Sequence, residues 1–244
     1  ELSGRSLAEL FPLTGVPLPA TPRYRIAAHL VQSGALWRFS DIDGTVGGSD
    51  LAGSFSVDRG PVPQRLTGTL HARHLDLADL SGFLGARTRT GERVPARPGK
   101  VLPAQPLGFD KIAAADVELE FAIDDIRNAG LPLDAARGHL RIADRHVRVQ
   151  PLHVGVAHGD VSGEFALDTR DRPATARLDL RASRLKLREL MPSVESRALT
   201  TGVLGGRAQV AMRGDSVAAL LGSASGDLAL AMEGGSTSRL LVRL

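Results

Sequence analysis

Three side chains stand close enough together to be tested first as a metal site: His153, His158 and Asp160. Imidazole and carboxylate are ordinary ligands for zinc and related ions. If residues 153–160 form a hairpin, however, the three need not converge, and two of them sit among the turn glycines Gly155 and Gly159. This spacing predicts a turn or surface role. Gly222-Ser-Ala-Ser-Gly226 has the outline of a nucleophile elbow, but Ala224 occupies the position where serine is required. The neighbouring carboxylates Asp124 and Asp125 would point to opposite faces of a strand, so they make a poor acid–base pair. The chain contains no G-x-G-x-x-G, no Walker loop and no H-E-x-x-H. Cysteine is absent, which removes disulfides, metal thiolates and cysteine nucleophiles. The expectation is a protein that is not an enzyme and holds no cofactor and no metal. An active site would have to lie in the irregular segment 86–108.

Composition narrows the partners. Hydrophobic residues make up 43%, too many for a disordered chain, while aromatics supply only 4%. Leucine, valine, isoleucine and alanine must therefore form the apolar surface. The formal charge is +3, but arginine alternates with aspartate and glutamate, without a basic run or aromatic–basic interleaving. Nucleic acid is thus not an expected partner. No stretch reaches the ~18 apolar residues that a membrane span requires. Residue 1 is Glu, and the sequence stops within an apolar pattern at Leu240-Leu241-Val242-Arg243-Leu244. Both features predict a piece of a longer protein.

The elements follow from periodicity. Residues 6–11 predict a short helix with Ser6 as N-cap and Glu9 in the capping-box position, before three prolines force an extended connection. From Tyr24 the period becomes two. The clearest strand is Val117–Ile123, with Val117, Leu119, Phe121 and Ile123 set against Glu118, Glu120 and Asp124. Thr45–Val57 reads as one segment with a turn or bulge at Gly47-Gly48. Further strands are expected near 66–77, 133–143, 145–156, 159–168, 174–187, 203–213 and 224–233, and short helices at 76–85, 188–192 and 216–222. Strands about ten residues apart with tight turns predict an antiparallel meander.

The sequence also repeats. A shift of 110 residues aligns 29–80 with 139–190 without a gap. Asp50-Leu-Ala-Gly-Ser-Phe-Ser-Val-Asp58 then overlays Asp160-Val-Ser-Gly-Glu-Phe-Ala-Leu-Asp168. The predicted organisation is a single repetitive segment over 1–244. A first unit covers 23–85, an irregular linker 86–108, a second unit 109–192, and the start of a further, truncated unit 203–244. Side-by-side copies join their apolar faces into one surface, which must curl, pair with another sheet or hold something apolar. The fold expected is therefore mainly β: a long, strongly curved antiparallel sheet, a half-pipe or β-groove, with a few short helices. Alternatively, the same stripes close into a dry core.

The strings LAELFPLTGVPLP (7–19), GTVGGSDLAGSFSVD (44–58), LTGTLHARHLDLADLSGFLG (66–85), GDVSGEFALD (159–168), LDLRASRLKLRELMP (178–192) and GRAQVAMRGDSVAALLGSASGDLALAMEGG (206–235) resemble the AsmA family of Gram-negative envelope proteins. Each is loose alone, and their order and spacing are more specific. The resemblance implies a periplasmic body of stacked strands, curled around an apolar lumen as in TamB. It further implies an inner-membrane anchor outside this chain, and a role in moving phospholipid between inner and outer membrane and in outer-membrane biogenesis. Phospholipid acyl chains would then lie against Val117, Leu119, Phe121, Ile123, Leu140, Ile142, Val147, Val149, Phe165, Leu167, Leu178 and Leu180. The alternative is a lipid-free interaction module that assists outer-membrane protein assembly, with assembly components as its partners.

Overall fold

The computed structural model of the 244-residue chain describes residues 1–10, 18, 20–79, 115–127, 132–190 and 202–233. The short strand β1 (Leu2–Gly4) precedes a single 3-10 turn at Leu7–Leu10. Then come β2 (Tyr24–Ser33), β3 (Leu36–Val46), β4 (Ser49–Asp58), β5 (Gln64–Ala72) and β6 (Leu75–Asp76). After the linker lie β7 (Ala115–Ile123), β8 (Ile126–Arg127), β9 (Leu133–Ala143), β10 (His146–Val156), β11 (Gly159–Asp168) and β12 (Thr175–Lys186). Helix α1 (Leu187–Leu190), β13 (Val203–Arg213), helix α2 (Val217–Gly222) and β14 (Ser225–Glu233) complete the described chain.

Twelve strands form one sheet, in the order β1-β2-β3-β4-β5-β7-β9-β10-β11-β12-β13-β14. The order is linear, so the sheet does not close into a barrel. β6 and β8 make a separate parallel pair. The all-antiparallel meander needs one correction: β5 and β7 are parallel, with Leu66 opposite Val117 and Leu70 opposite Phe121. A tight turn can only reverse the chain, whereas more than forty residues separate β5 from β7 and free it to enter in the same direction. The mainly β architecture with few short helices stands as expected.

Element bounds recur 110 residues apart. Leu36–Val46 corresponds to His146–Val156, and Ser49–Asp58 to Gly159–Asp168. The irregularities recur with them. Between Phe39 and Ile42, β3 carries an extra residue relative to β4, and β10 does the same between Val149 and Leu152. Facing each bulge is a glycine, Gly53 or Gly163, with φ of 148° or 159°. A Cβ at Gly53 would collide with the Thr69 carbonyl, and one at Gly163 with that of Asp179. A bulge opposite a glycine kink is the device that bends a sheet.

The smaller elements differ from the sequence reading in instructive ways. The helix expected at 6–11 is one 3-10 turn, because Ser6 does not serve it alone. The Ser6 hydroxyl accepts from the backbone N–H groups of Ala8 (3.3 Å) and Thr21 (3.0 Å), while the Thr21 hydroxyl accepts from Leu7 (2.9 Å). Both side chains are buried, so the start of the chain is clasped to the connection leading into β2. Thr45–Val57 is two strands joined by a turn at Gly47, whose φ is 63°. Helix α2 falls where 216–222 predicts it, with Ser216 accepting from Ala219 N (3.1 Å). Of the helix expected at 188–192, α1 covers Leu187–Leu190. The linker 86–108 and most of the helix expected at 76–85 lie outside the described residues.

Candidate functional site

Register and the two-residue side-chain period fix which residues share a face. Cross-strand partners can be followed through nearly the whole sheet. One row runs Trp37, Val57, Leu66, Val117, Ile142, Val147, Leu167, Ala176, Met212. The next runs Leu30, Phe39, Phe55, Gly68, Leu119, Leu140, Val149, Phe165, Leu178, Val210, Gly226. Two shorter apolar rows pass through Leu70, Phe121 and Leu152, and through Ile123, Val154 and Val161. At the usual strand spacing the longest row extends roughly 48 Å, and four rows make a band about 20 Å wide.

All twelve residues singled out from the sequence lie on this face. Val117, Leu119, Phe121 and Ile123 come from β7, Leu140 and Ile142 from β9, Val147 and Val149 from β10, Phe165 and Leu167 from β11, and Leu178 and Leu180 from β12. Leu167 is buried and the other eleven are partly buried. Two compact patches interrupt the band. Phe39, Ile42, Val57 and Ala115 cluster beneath Leu18, and Phe39 stacks on Phe55 with ring centroids 4.6 Å apart. Near the other end, Leu220 of α2 closes over Leu167, Ala174 and Ala176. Elsewhere, among the described residues, no second sheet covers the band.

Several residues of this face are missing from the sequence reading. On β10 the bulge reverses the alternation, so the apolar positions pass from Val147 and Val149 to Leu152 and Val154. Pro151 marks the spot, since proline within a strand signals an edge or a bulge. The first unit contributes Trp37, Phe39, Phe55 and Leu70, which the 110-residue repeat already equates with Val147, Val149, Phe165 and Leu180, and Leu66, whose counterpart is Ala176.

The opposite face is charged. Glu118 faces His139 (3.4 Å), and Asp179 accepts from Gln209 Nε2 (2.6 Å) and Arg207 (3.2 Å), which holds its carboxyl below the usual range. Further pairs gather where the strands end. At one end, Arg170 donates to Asp168 (2.7 Å) and drives its carboxyl far below the ordinary carboxylate value. At the other end Arg73 pairs with Asp50 (2.8 Å), Arg127 with Asp125 (2.7 Å), and Arg184 with Asp160. The early metal candidates do not form a centre: His153 lies opposite Arg137 and Ser162, His158 is in the turn before β11, and Asp160 is taken by Arg184. Among the described residues no group of three His, Cys, Asp or Glu is arranged to hold a metal. Asp124 and Asp125, beyond the end of β7, face different histidines, His71 (2.9 Å) and His74 (3.1 Å).

Comparison with known proteins gives two matches. The AsmA family profile matches residues 3–242. The AsmA family protein YhjG of Escherichia coli (strain K12) is 34% identical over 262 aligned residues, which cover all of this chain and 38% of that protein. The chain thus spans well under half the length of this relative. No solved structure matches.

Proposed function

The chain belongs to the AsmA family, and from that premise we propose that it is a segment of an inner-membrane-anchored periplasmic protein whose apolar β-groove carries phospholipid between inner and outer membrane. In this reading it contributes to outer-membrane biogenesis, it is not an enzyme, and its anchor belongs to a part of the protein outside this chain. No helix among the described residues is long and apolar enough to cross a membrane.

One observation carries the reading: the apolar rows continue in register from strand to strand while, outside the two compact patches, their side chains are no more than partly buried. A dry core would bury residues such as Leu140 and Phe165, since each large aliphatic or aromatic side chain gains roughly 1.5–3 kcal/mol on full burial. An exposed apolar band of this extent marks a surface that meets something apolar. Acyl chains suit it because the rows offer no polar recognition and no ion pair. The band's width of about 20 Å accommodates a chain the length of one leaflet, about half the ~30 Å bilayer core. Movement along such a surface is passive sliding.

The test places a photoreactive amino acid at Leu140 or Phe165 on the apolar face, and at Arg141 or Glu164 on the charged face. The purified protein is irradiated and its adducts are identified by mass spectrometry. Phospholipid adducts at the first pair and none at the second are expected. Absence of lipid from both pairs, with no phospholipid in organic extracts, would overturn the conduit in favour of a lipid-free assembly module.

A further inference from the structure

The last strand of the sheet repeats one that occurs twice before it. Leu51-Ala-Gly-Ser-Phe-Ser-Val57 in β4, Val161-Ser-Gly-Glu-Phe-Ala-Leu167 in β11 and Ala224-Ser-Gly-Asp-Leu-Ala-Leu230 at β14 share a glycine followed by apolar residues two and four places on. The likeness extends to geometry. Gly53, Gly163 and Gly226 have φ of 148°, 159° and 155°. A Cβ on each would strike the carbonyl of the residue just before its cross-strand partner: Thr69 on β5, Asp179 on β12 and Gln209 on β13.

On the opposite edge the three strands differ. β4 and β11 each have a second neighbour, β3 or β10, and both neighbours are bulged at the same place. Phe39 lies opposite Phe55 and Ile42 opposite Gly53, which leaves Ser40 and Asp41 against Ser54. Val149 lies opposite Phe165 and Leu152 opposite Gly163, which leaves Gln150 and Pro151 against Glu164. The extra residue lets the neighbour follow the bend at the glycine while its side chains keep to the correct face. β14 ends the sheet order, and its second edge has no neighbour among the described residues. That edge is also unguarded: β14 has nine residues with no Pro and no Lys, and Leu228, Leu230 and Met232 lie on the apolar face. At the other end of the sheet, β1 covers Tyr24–Ile26 of β2.

We propose that the outer edge of β14 receives an antiparallel, bulged strand of the form apolar-Arg-apolar-x-x-apolar, contributed by a part of the longer protein outside this chain. That form is common to Trp37-Arg-Phe-Ser-Asp-Ile42 and Val147-Arg-Val-Gln-Pro-Leu152, the segments that meet the two equivalent edges. The copied register sets the two extra residues against Asp227 and their apolar neighbours opposite Leu228 and Gly226. The arginine then falls opposite Ala229, as Arg148 falls opposite Ala166, and lies diagonally across from the Asp227 carboxylate. The relative from E. coli shows that such proteins hold much more chain than this sheet, since the alignment covers 38% of it. The inference goes beyond the conduit reading and holds whether or not lipid lies on the apolar face.

The probe is a synthetic peptide with the sequence of residues 146–156, carrying a fluorophore and a photoreactive group. Its affinity for the purified chain is read by fluorescence anisotropy, and its adducts are mapped by mass spectrometry. Adducts are expected on Ser225–Glu233. A peptide lacking Pro151 sends every residue beyond the bulge to the wrong face, so it should bind at least about tenfold more weakly. Leu230→Lys puts a charge into the edge strand and should abolish binding, whereas Val31→Lys, at an exposed position of β2, should leave it unchanged. Thermal melting confirms that each variant is folded. Should Leu230→Lys fail to fold, Leu228→Ala replaces it and weakens binding several-fold. Equal binding of the two peptides, adducts away from β14, or no binding at all overturns the proposal. A chain that sediments as a dimer and excludes the peptide assigns the edge to a second copy and overturns it as well. None of these outcomes bears on lipid binding.

Discussion

Gly163 shows how much one residue contributes to the curved sheet. Its φ of 159° and the Asp179 carbonyl beside it leave no place for a Cβ. Gly163→Ala is expected to lose about 1–3 kcal/mol of stability in urea unfolding, whereas Gly222→Ala, with open space around the site, should change stability by less than about 0.5 kcal/mol. Asp168 makes a pH-dependent contribution. The Arg170 side chain, then its backbone N–H, hold the folded carboxyl far below its unfolded value, so this stability is fully present above about pH 4 and fades as pH falls toward the folded value. Asp168→Asn should therefore cost about 1 kcal/mol at pH 7, and the deficit should shrink steadily below pH 4. Unfolding curves for both proteins at pH 7, 4 and 2.5 check the sign.

At the level of elements, the strands were readable and several of their joints were not. Alternation identified β7 and β9–β14 closely, because an amphipathic strand must place every second residue on the buried side. The turn between β3 and β4 was signalled by Gly47-Gly48, but its counterpart between β10 and β11 uses Ala157 and His158 at φ of 50° and 61° in place of glycine. The bulges were similarly hidden, since an extra residue is invisible until its partner strand is known. That is why half of the apolar positions on β10 escaped notice while all twelve named ones fell on one face. The parallel entry of β7 depends on a long-range pairing that local pattern does not encode. Helix α2 was legible because capping is local. Leu220→Ala, which empties its contact with Leu167, Ala174 and Ala176, should destabilise by about 2–4 kcal/mol in thermal melts. Ser216→Ala should cost about 1 kcal/mol.

For the whole molecule, the relevant quantity is the continuity of the apolar band. In the proposed conduit, a charge placed mid-row interrupts a path that no neighbouring row fully replaces, whereas the same charge on the opposite face joins an existing set of ion pairs. Leu140→Asp is expected to lower bound phospholipid several-fold, while Arg141→Asp leaves it unchanged, as read by lipid extraction from protein of matched folding. Composition and repetition alone indicated that such a band exists. Its exposure was not legible, because the same alternating sequence serves an open groove and a closed sandwich equally well.

The parallel join of β5 to β7 preserves the rows across the boundary between units: Leu66 meets Val117 and Gly68 meets Leu119, as though no boundary were there. Five strands, β7 and β9–β12, therefore add about 24 Å to the apolar surface. Reach in such a protein is a countable property. On the proposed conduit reading, duplicating or deleting such a set of strands would change the distance bridged by a whole step, so that copy number rather than redesign of any single strand would match the gap between two membranes.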